Sequence, residues 1–286
     1  MIFDGVRRRF APWTAAAAVV ALVAGCGSTP ANVRPNRMVM PSSAPSGPAS
    51  NQPSTPPTGP LPPGTVALTA AELARVPKFD AAPPAQPITL AKGDSAAWLS
   101  AIPTTQKVAF ITIDDGWEKN PKAYALFTAA NVPVSLFLQT NAIKSDVNYF
   151  KPLVQAGATI EAHTITHQQL RGKSYATQKR EICGSADKLG QWYGRRPQLF
   201  RPPFGAKDAT TLRAVHDCGM KAAFFWKEAT NKGKVYYQGV HKVQPGDIIL
   251  MHFRPAFVDD FLAVLKSIKD AGLTPARLED YIPGAS

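Results

Sequence analysis

"VAFITIDDGWEKN", Val108 to Asn120, places two adjacent carboxylates, Asp114 and Asp115, at the end of an apolar run that reads as a buried strand. Two like charges side by side repel, and burial deepens the repulsion. The pair therefore calls for positive charge close by. Outward from this strand, from Lys107 on, strand-like and helix-like segments alternate. "VSLFLQT", "ATIEAHT", "QLFRPP", "KAAFFWKE" and "DIILMHF" read as further strands. "PKAYALFTAAN", "VNYFKPLVQAG", "SYATQKREICGSADKLGQWYG", "DATTLRAVHDCGM" and "VDDFLAVLKSIKDAG" read as helices. Alternation at this spacing predicts an α/β fold of repeated β-α units around a mostly parallel sheet. In a barrel of parallel strands the C-terminal strand ends share one face, so four polar strand ends converge on one pocket.

Three further segments supply that pocket. In "EAHTITHQQ", His163 and His167 stand four apart and face the same way if the segment turns helically. Two histidines and one aspartate make a three-ligand site with positions left for water and substrate. In "FRPPFG", two prolines stiffen the chain and present Arg201 from a fixed loop, a charge partner that keeps one aspartate ionised. In "GDIILMHF", Leu250 and His252 alternate to one face of a buried strand, and a histidine there has the right intrinsic pKa to protonate a leaving group. Each segment alone also fits a structural role.

Together and in this order, "TIDDG", "HTITH", "RPPFG" and "LMH" resemble the polysaccharide deacetylase, or NodB-homology, family, carbohydrate esterase family four. The resemblance spans roughly Lys107 to His252. It implies a distorted (β/α) barrel that removes acetyl groups from polymeric sugars with a divalent metal, Zn2+ or alternatively Co2+. It assigns Asp115, His163 and His167 to the metal, Asp114 to the general base and His252 to the general acid. Arg201 would orient Asp114, Leu250 would line the acetyl pocket, and the backbone N–H of Phe204 would face the oxyanion. Trp117, in place of a common proline, is expected to stack on a sugar, and Trp226 is grouped with these substrate-facing residues. One departure is clear: the family's Asp-x-x-Asp-Trp motif has no match in "FFWKEATNKGKV", where Glu228 is the candidate substitute.

The N-terminus reads differently from the rest. Arg7 to Arg9, the apolar run "APWTAAAAVVALVAG" and Cys26 follow the order of an export signal, and Val23 to Gly25 resemble a lipobox with Cys26 as the lipidated residue. Residues 1–25 are thus expected to be a signal peptide. Residues 26–65, rich in Pro and Ser, form a disordered linker from the lipid anchor. Residues 66–105 are transitional, and 106–286 form the catalytic domain. The expected location is the outer face of the cytoplasmic membrane, as a lipoprotein, or outside the cell by secretion. An oxidising compartment permits a bridge between Cys183 and Cys218, both in predicted helices, the alternative being two buried thiols. The net charge of +12, roughly +10 without the signal, suits anionic wall polymers. No recognition motif accompanies it, so nucleic acid is not the expected partner. The sequence leaves the oligomeric state open. Its leading functional reading is a deacetylase of N-acetylated glycans, peptidoglycan first. Its alternative is a metal-containing wall-glycan-binding protein without turnover.

Overall fold

A computed structural model describes residues 61–286, and the expected signal, Cys26 and the linker as far as residue 60 lie outside the described residues. The chain enters through α1 (Ala70–Ala74), whose start is fixed by reciprocal hydrogen bonds between Thr69 and Glu72. It continues through β1 (Ala97–Leu99), β2 (Val108–Asp115), α2 (Ala123–Ala130), β3 (Val134–Leu138) and α3 (Thr140–Ile143). Next come α4 (Phe150–Gln155), β4 (Ala158–Ala162), α5 (Tyr175–Tyr193), β5 (Leu199–Phe200), α6 (Ala209–Asp217) and β6 (Ala222–Phe224). The last elements are β7 (Glu228–Asn231), β8 (Lys234–Tyr237), β9 (Ile248–His252), α7 (Phe257–Asp270) and β10 (Thr274–Pro275).

The strands form one sheet in the order β1-β6-β5-β4-β3-β2-β9-β7-β8, with β10 paired to β2. Every pairing is parallel except the β7–β8 hairpin. The sheet curls as a half-barrel flanked by helices, which matches the expected distorted barrel, and just past β1 Ala101 bridges antiparallel to Asp247 ahead of β9. The sheet also reaches back to β1, N-terminal of residue 106.

Two apolar cores explain why β2 is apolar from Val108 to Ile111 and buried up to Asp114. On one face Ile111, Ile113, Leu136, Leu138, Ile249 and Met251 meet helical residues such as Phe127 and Phe261. On the other, Val108, Phe110, Phe137, Leu199, Phe224 and Ile248 pack with Leu278, Tyr281 and Ile282 of the C-terminal segment. Strand alternation puts Thr112 and Asp114 on the second face, above Val108 and Phe110. That face is filled with apolar side chains below and carries polar ones at the strand ends.

"KAAFFWKE" is not one strand. It breaks after Phe224 and resumes as β7 at Glu228, because Phe225 and Trp226 turn their rings against each other, 4.1 Å apart. Cys183 in α5 and Cys218 at the end of α6 form a disulfide. Among the described residues, no helix is long and apolar enough to cross a membrane.

Candidate metal and catalytic site

The site lies where β2, β4, β5 and β9 end. Register places Asp114 beside His252 of β9 and Phe137 of β3. Asp115, at the last position of β2, bends out of the strand with φ of 75°. Gly116 must follow it: a Cβ there would stand 2.6 Å from Ile143 Cγ2. Positive φ recurs at Thr164, His167 and Phe204, so four of the six described non-glycine residues in this region of backbone space belong to the site. Such strain persists where the surrounding structure over-determines it.

The histidine pair comes together without a helix. After β4 the chain turns irregularly through Thr164, and His167 N donates to Thr164 Oγ1 at 3.0 Å. The two imidazoles lie 5.0 Å apart, tilted by 62°. The expected helical turn is therefore replaced by a loop, held by Glu181 of α5. Its Oε2 accepts from Ile165 N, Thr166 N and Thr166 Oγ1 at 3.1, 2.9 and 3.1 Å. Gln139 ties the same loop to β3 by donating to Ile165 O. Neither residue was singled out in the sequence, since nothing in the helical pattern of α5 distinguishes Glu181 from a solvated acid.

Asp115, His163 and His167 bring one ligand atom each to within 4.8 Å of one another. His163 Nδ1 lies 2.7 Å from Arg201 O. A carbonyl only accepts, so Nδ1 carries the proton and Nε2 keeps its lone pair for the site. Nε2 stands 3.5 Å from Asp115 Oδ1, and His167 Nε2 stands 3.2 Å from the same oxygen. That oxygen is buried without a hydrogen-bond partner. A carboxylate oxygen without a hydrogen-bond partner, set between two imidazole Nε2 atoms, is a donor set suited to a divalent cation, so these residues fit the metal. Burial pushes the Asp115 carboxyl up, but His163 and His167 outweigh it and hold the group far below the ordinary carboxylate range. For His163, burial opposes the charged ring and the charges of Asp114 and Asp115 overcome it, so its pKa is raised.

Arg201 is fully buried and donates through Nη1 to Asp114 Oδ1 at 2.7 Å and to Thr112 Oγ1 at 2.8 Å. His252 Nε2 lies 4.0 Å from Asp115 Oδ2. Burial pulls the His252 imidazole below the ordinary histidine range, with Asp114 opposing the shift. Among the described residues, no hydrogen bond fixes that ring. Leu250 is buried on the same strand face, opposite Thr112. Phe204 is exposed, its ring edge-on to His167 at 4.8 Å, and Trp117 is exposed just beyond Gly116. Trp226 is half-buried with its ring toward Arg201. Glu228 does not reach the site: it is paired in the sheet with Ile249, its carboxyl meets Asp247, and its own burial first, then the Asp247 charge, raise its pKa to about 9. The geometry brings together a metal-fitting triad, an ion-paired carboxylate and a nearby imidazole, the parts needed to hydrolyse an acyl bond.

Residues 101–223 match the family described as polysaccharide deacetylase. An uncharacterised protein of Streptomyces coelicolor is 36% identical over 185 residues, covering 63% of this chain and 74% of its own. A solved CE4 family pseudoenzyme from Bacillus anthracis superposes with a TM-score of 0.58 at 19% identity, over 65% of this chain and 69% of its own. A peptidoglycan N-acetylglucosamine deacetylase superposes with a TM-score of 0.57 at 21% identity, over 66% of this chain and 93% of its own. At these identities the structural likeness speaks to fold alone.

Proposed function

The chain belongs to the polysaccharide deacetylase family, and from that premise we propose that it removes acetyl groups from N-acetylated cell-wall glycans, peptidoglycan first, as an exported lipoprotein. The observation that carries the reading is the Asp115, His163 and His167 triad set beside the Asp114–Arg201 pair. A divalent cation held by these three residues supplies Lewis acidity, which eases deprotonation of water and polarises the acetyl carbonyl. Asp114, ion-paired with Arg201, takes a proton from the attacking water as its oxygen bonds to the carbonyl carbon. The N–H of Phe204 faces the oxyanion. His252 gives a proton to the departing amine as the C–N bond breaks, releasing acetate and leaving a free amino sugar. Leu250 gives the acetyl methyl an apolar floor, and Trp117 offers a face for a pyranose ring.

A second reading, a wall-glycan-binding protein without turnover, is favoured by one observation: no hydrogen bond fixes the His252 ring. The Bacillus anthracis protein of similar fold is a pseudoenzyme. Against it stands the retention of Asp114 and His252, which a binder does not need.

The test is acetate release from purified wall glycan and from N-acetylglucosamine oligomers, with protein stripped of metal and reloaded with zinc or cobalt. Acetate that depends on metal supports the enzyme. Stoichiometric metal with no acetate from any glycan overturns it in favour of the binder. Export by lipid attachment is tested separately: a Cys26→Ala precursor that still partitions into membranes counts against it.

A further inference from the structure

Arg201 carries a full charge into the interior with little conventional compensation. It is fully buried, and its one carboxylate partner among the described residues is Asp114. Nη1 also donates to Thr112 Oγ1, and Nη2 donates to Phe225 O at 3.2 Å. Nε is buried and has no hydrogen-bond partner. Glu228, at the start of β7, turns to Asp247 instead. A buried guanidinium left with an idle N–H is costly unless something else stabilises the charge.

Two aromatic rings fill that role. The Phe137 centroid lies 4.5 Å from the guanidinium carbon, and the Trp226 centroid lies 5.8 Å from it. Ring faces attract cations, and the attraction grows when water is excluded. Phe137 is also the sheet partner of Asp114, so one ring neighbours both members of the ion pair. Trp226 is itself braced, stacked on Phe225 at 4.1 Å and 18°. Phe225 in turn occupies the space that any side chain at Gly205 would need.

We infer that Phe137 and Trp226 are positioning residues: they clamp Arg201 by its charge and so fix the orientation of Asp114, in place of a second carboxylate. The inference assigns Trp226 to the arginine rather than to the sugar, and its kinetic part rests on the deacetylase reading above. An aromatic clamp leaves Asp114 as the sole anionic partner of Arg201, so movement of the guanidinium translates directly into movement of the base.

The experiment has two arms. In the kinetic arm, Trp226→Leu and Phe137→Leu are expected to lower kcat at least tenfold with KM within about twofold and metal content unchanged, while Trp226→Phe retains most of kcat. A raised KM at unchanged kcat makes Trp226 a sugar platform and overturns the clamp. In the second arm, Trp226→Leu is made in the wild type and in Asp114→Asn/Arg201→Met, which removes the buried pair as a unit, and urea midpoints are compared. The loss of midpoint should at least halve once the charge is gone, and an equal loss overturns the inference. If the wild type itself releases no acetate, the deacetylase reading fails, and the urea comparison still decides the clamp. If the pair-deleted protein does not fold, the kcat and KM pattern with the Trp226→Phe rescue decides it.

Discussion

The two adjacent aspartates meet different partners because the chain turns between them. Asp114 completes the strand and meets Arg201 inside the sheet, whereas Asp115 leaves the strand and faces two imidazoles. This division makes the two residues separable by experiment. Asp114→Asn keeps the shape but cannot accept a proton, so acetate release should fall by roughly 10²- to 10⁴-fold with metal content unchanged. Asp115→Ala takes the carboxylate out of the triad, so zinc retained after reloading should drop well below one per chain by elemental analysis. If Asp114→Asn turns over at the wild-type rate with metal bound, the base lies elsewhere. The residue identities of this centre were legible in the sequence because each closes a strand or stands in a short motif. The contacts that hold them were not, since Glu181 lies 14 residues beyond His167 in a helix whose pattern shows only which face is buried.

At the scale of elements, the loop carrying both histidines is an irregular segment pinned to α5. Glu181→Leu would strip two backbone N–H groups, of Ile165 and Thr166, of their buried acceptor. Each stranded group costs about 1–3 kcal/mol. Thermal unfolding should shift down, and the loosened loop should also bind zinc more weakly. Glu181→Gln, which retains an acceptor oxygen, should recover much of both. Loss of stability with unchanged zinc affinity would separate the loop's anchoring from the metal. The helix that carries Glu181 is itself stapled to α6 by Cys183–Cys218, which lie 35 residues apart. Closing a loop of that length restricts the unfolded chain by about 3–4 kcal/mol. Cys183→Ser/Cys218→Ser should lose about that much in urea unfolding without losing metal, because neither sulfur touches the site. The long helices and the central strands could be read from periodicity. The β7–β8 hairpin could not: "FFWKEATNKGKVYY" has no clean alternation, because its rings serve Arg201 and each other, and its turn depends on Lys232 and Gly233 at positive φ.

Across the whole molecule, buried carboxylates lie outside the site as well as in it, and they set how stability responds to pH. Glu228 and Asp247 face each other on the side of the sheet away from Asp114, in a parity that β7 and β9 dictate. Burial first, and then the Asp247 charge, raises the Glu228 pKa from 4.5 to about 9. The folded protein therefore holds a proton that the unfolded chain has released, so stability falls as pH rises. The contribution is fully present below about 4.5, declines through the interval above it, and is lost once pH passes about 9. Glu228→Gln keeps a neutral donor toward Asp247 at every pH and removes this proton from the balance. Its melting temperature should fall less than that of the wild type between pH 6 and about 9.5, so that the two curves converge or cross as the buffer becomes alkaline. Parallel curves over that range would show that Glu228 is already ionised in the folded state, with its charge balanced by a neighbour such as Lys227, rather than sharing a proton with Asp247. Because the pair is separate from the metal ligands, Glu228→Gln should hold as much zinc as the wild type at every pH where both remain folded.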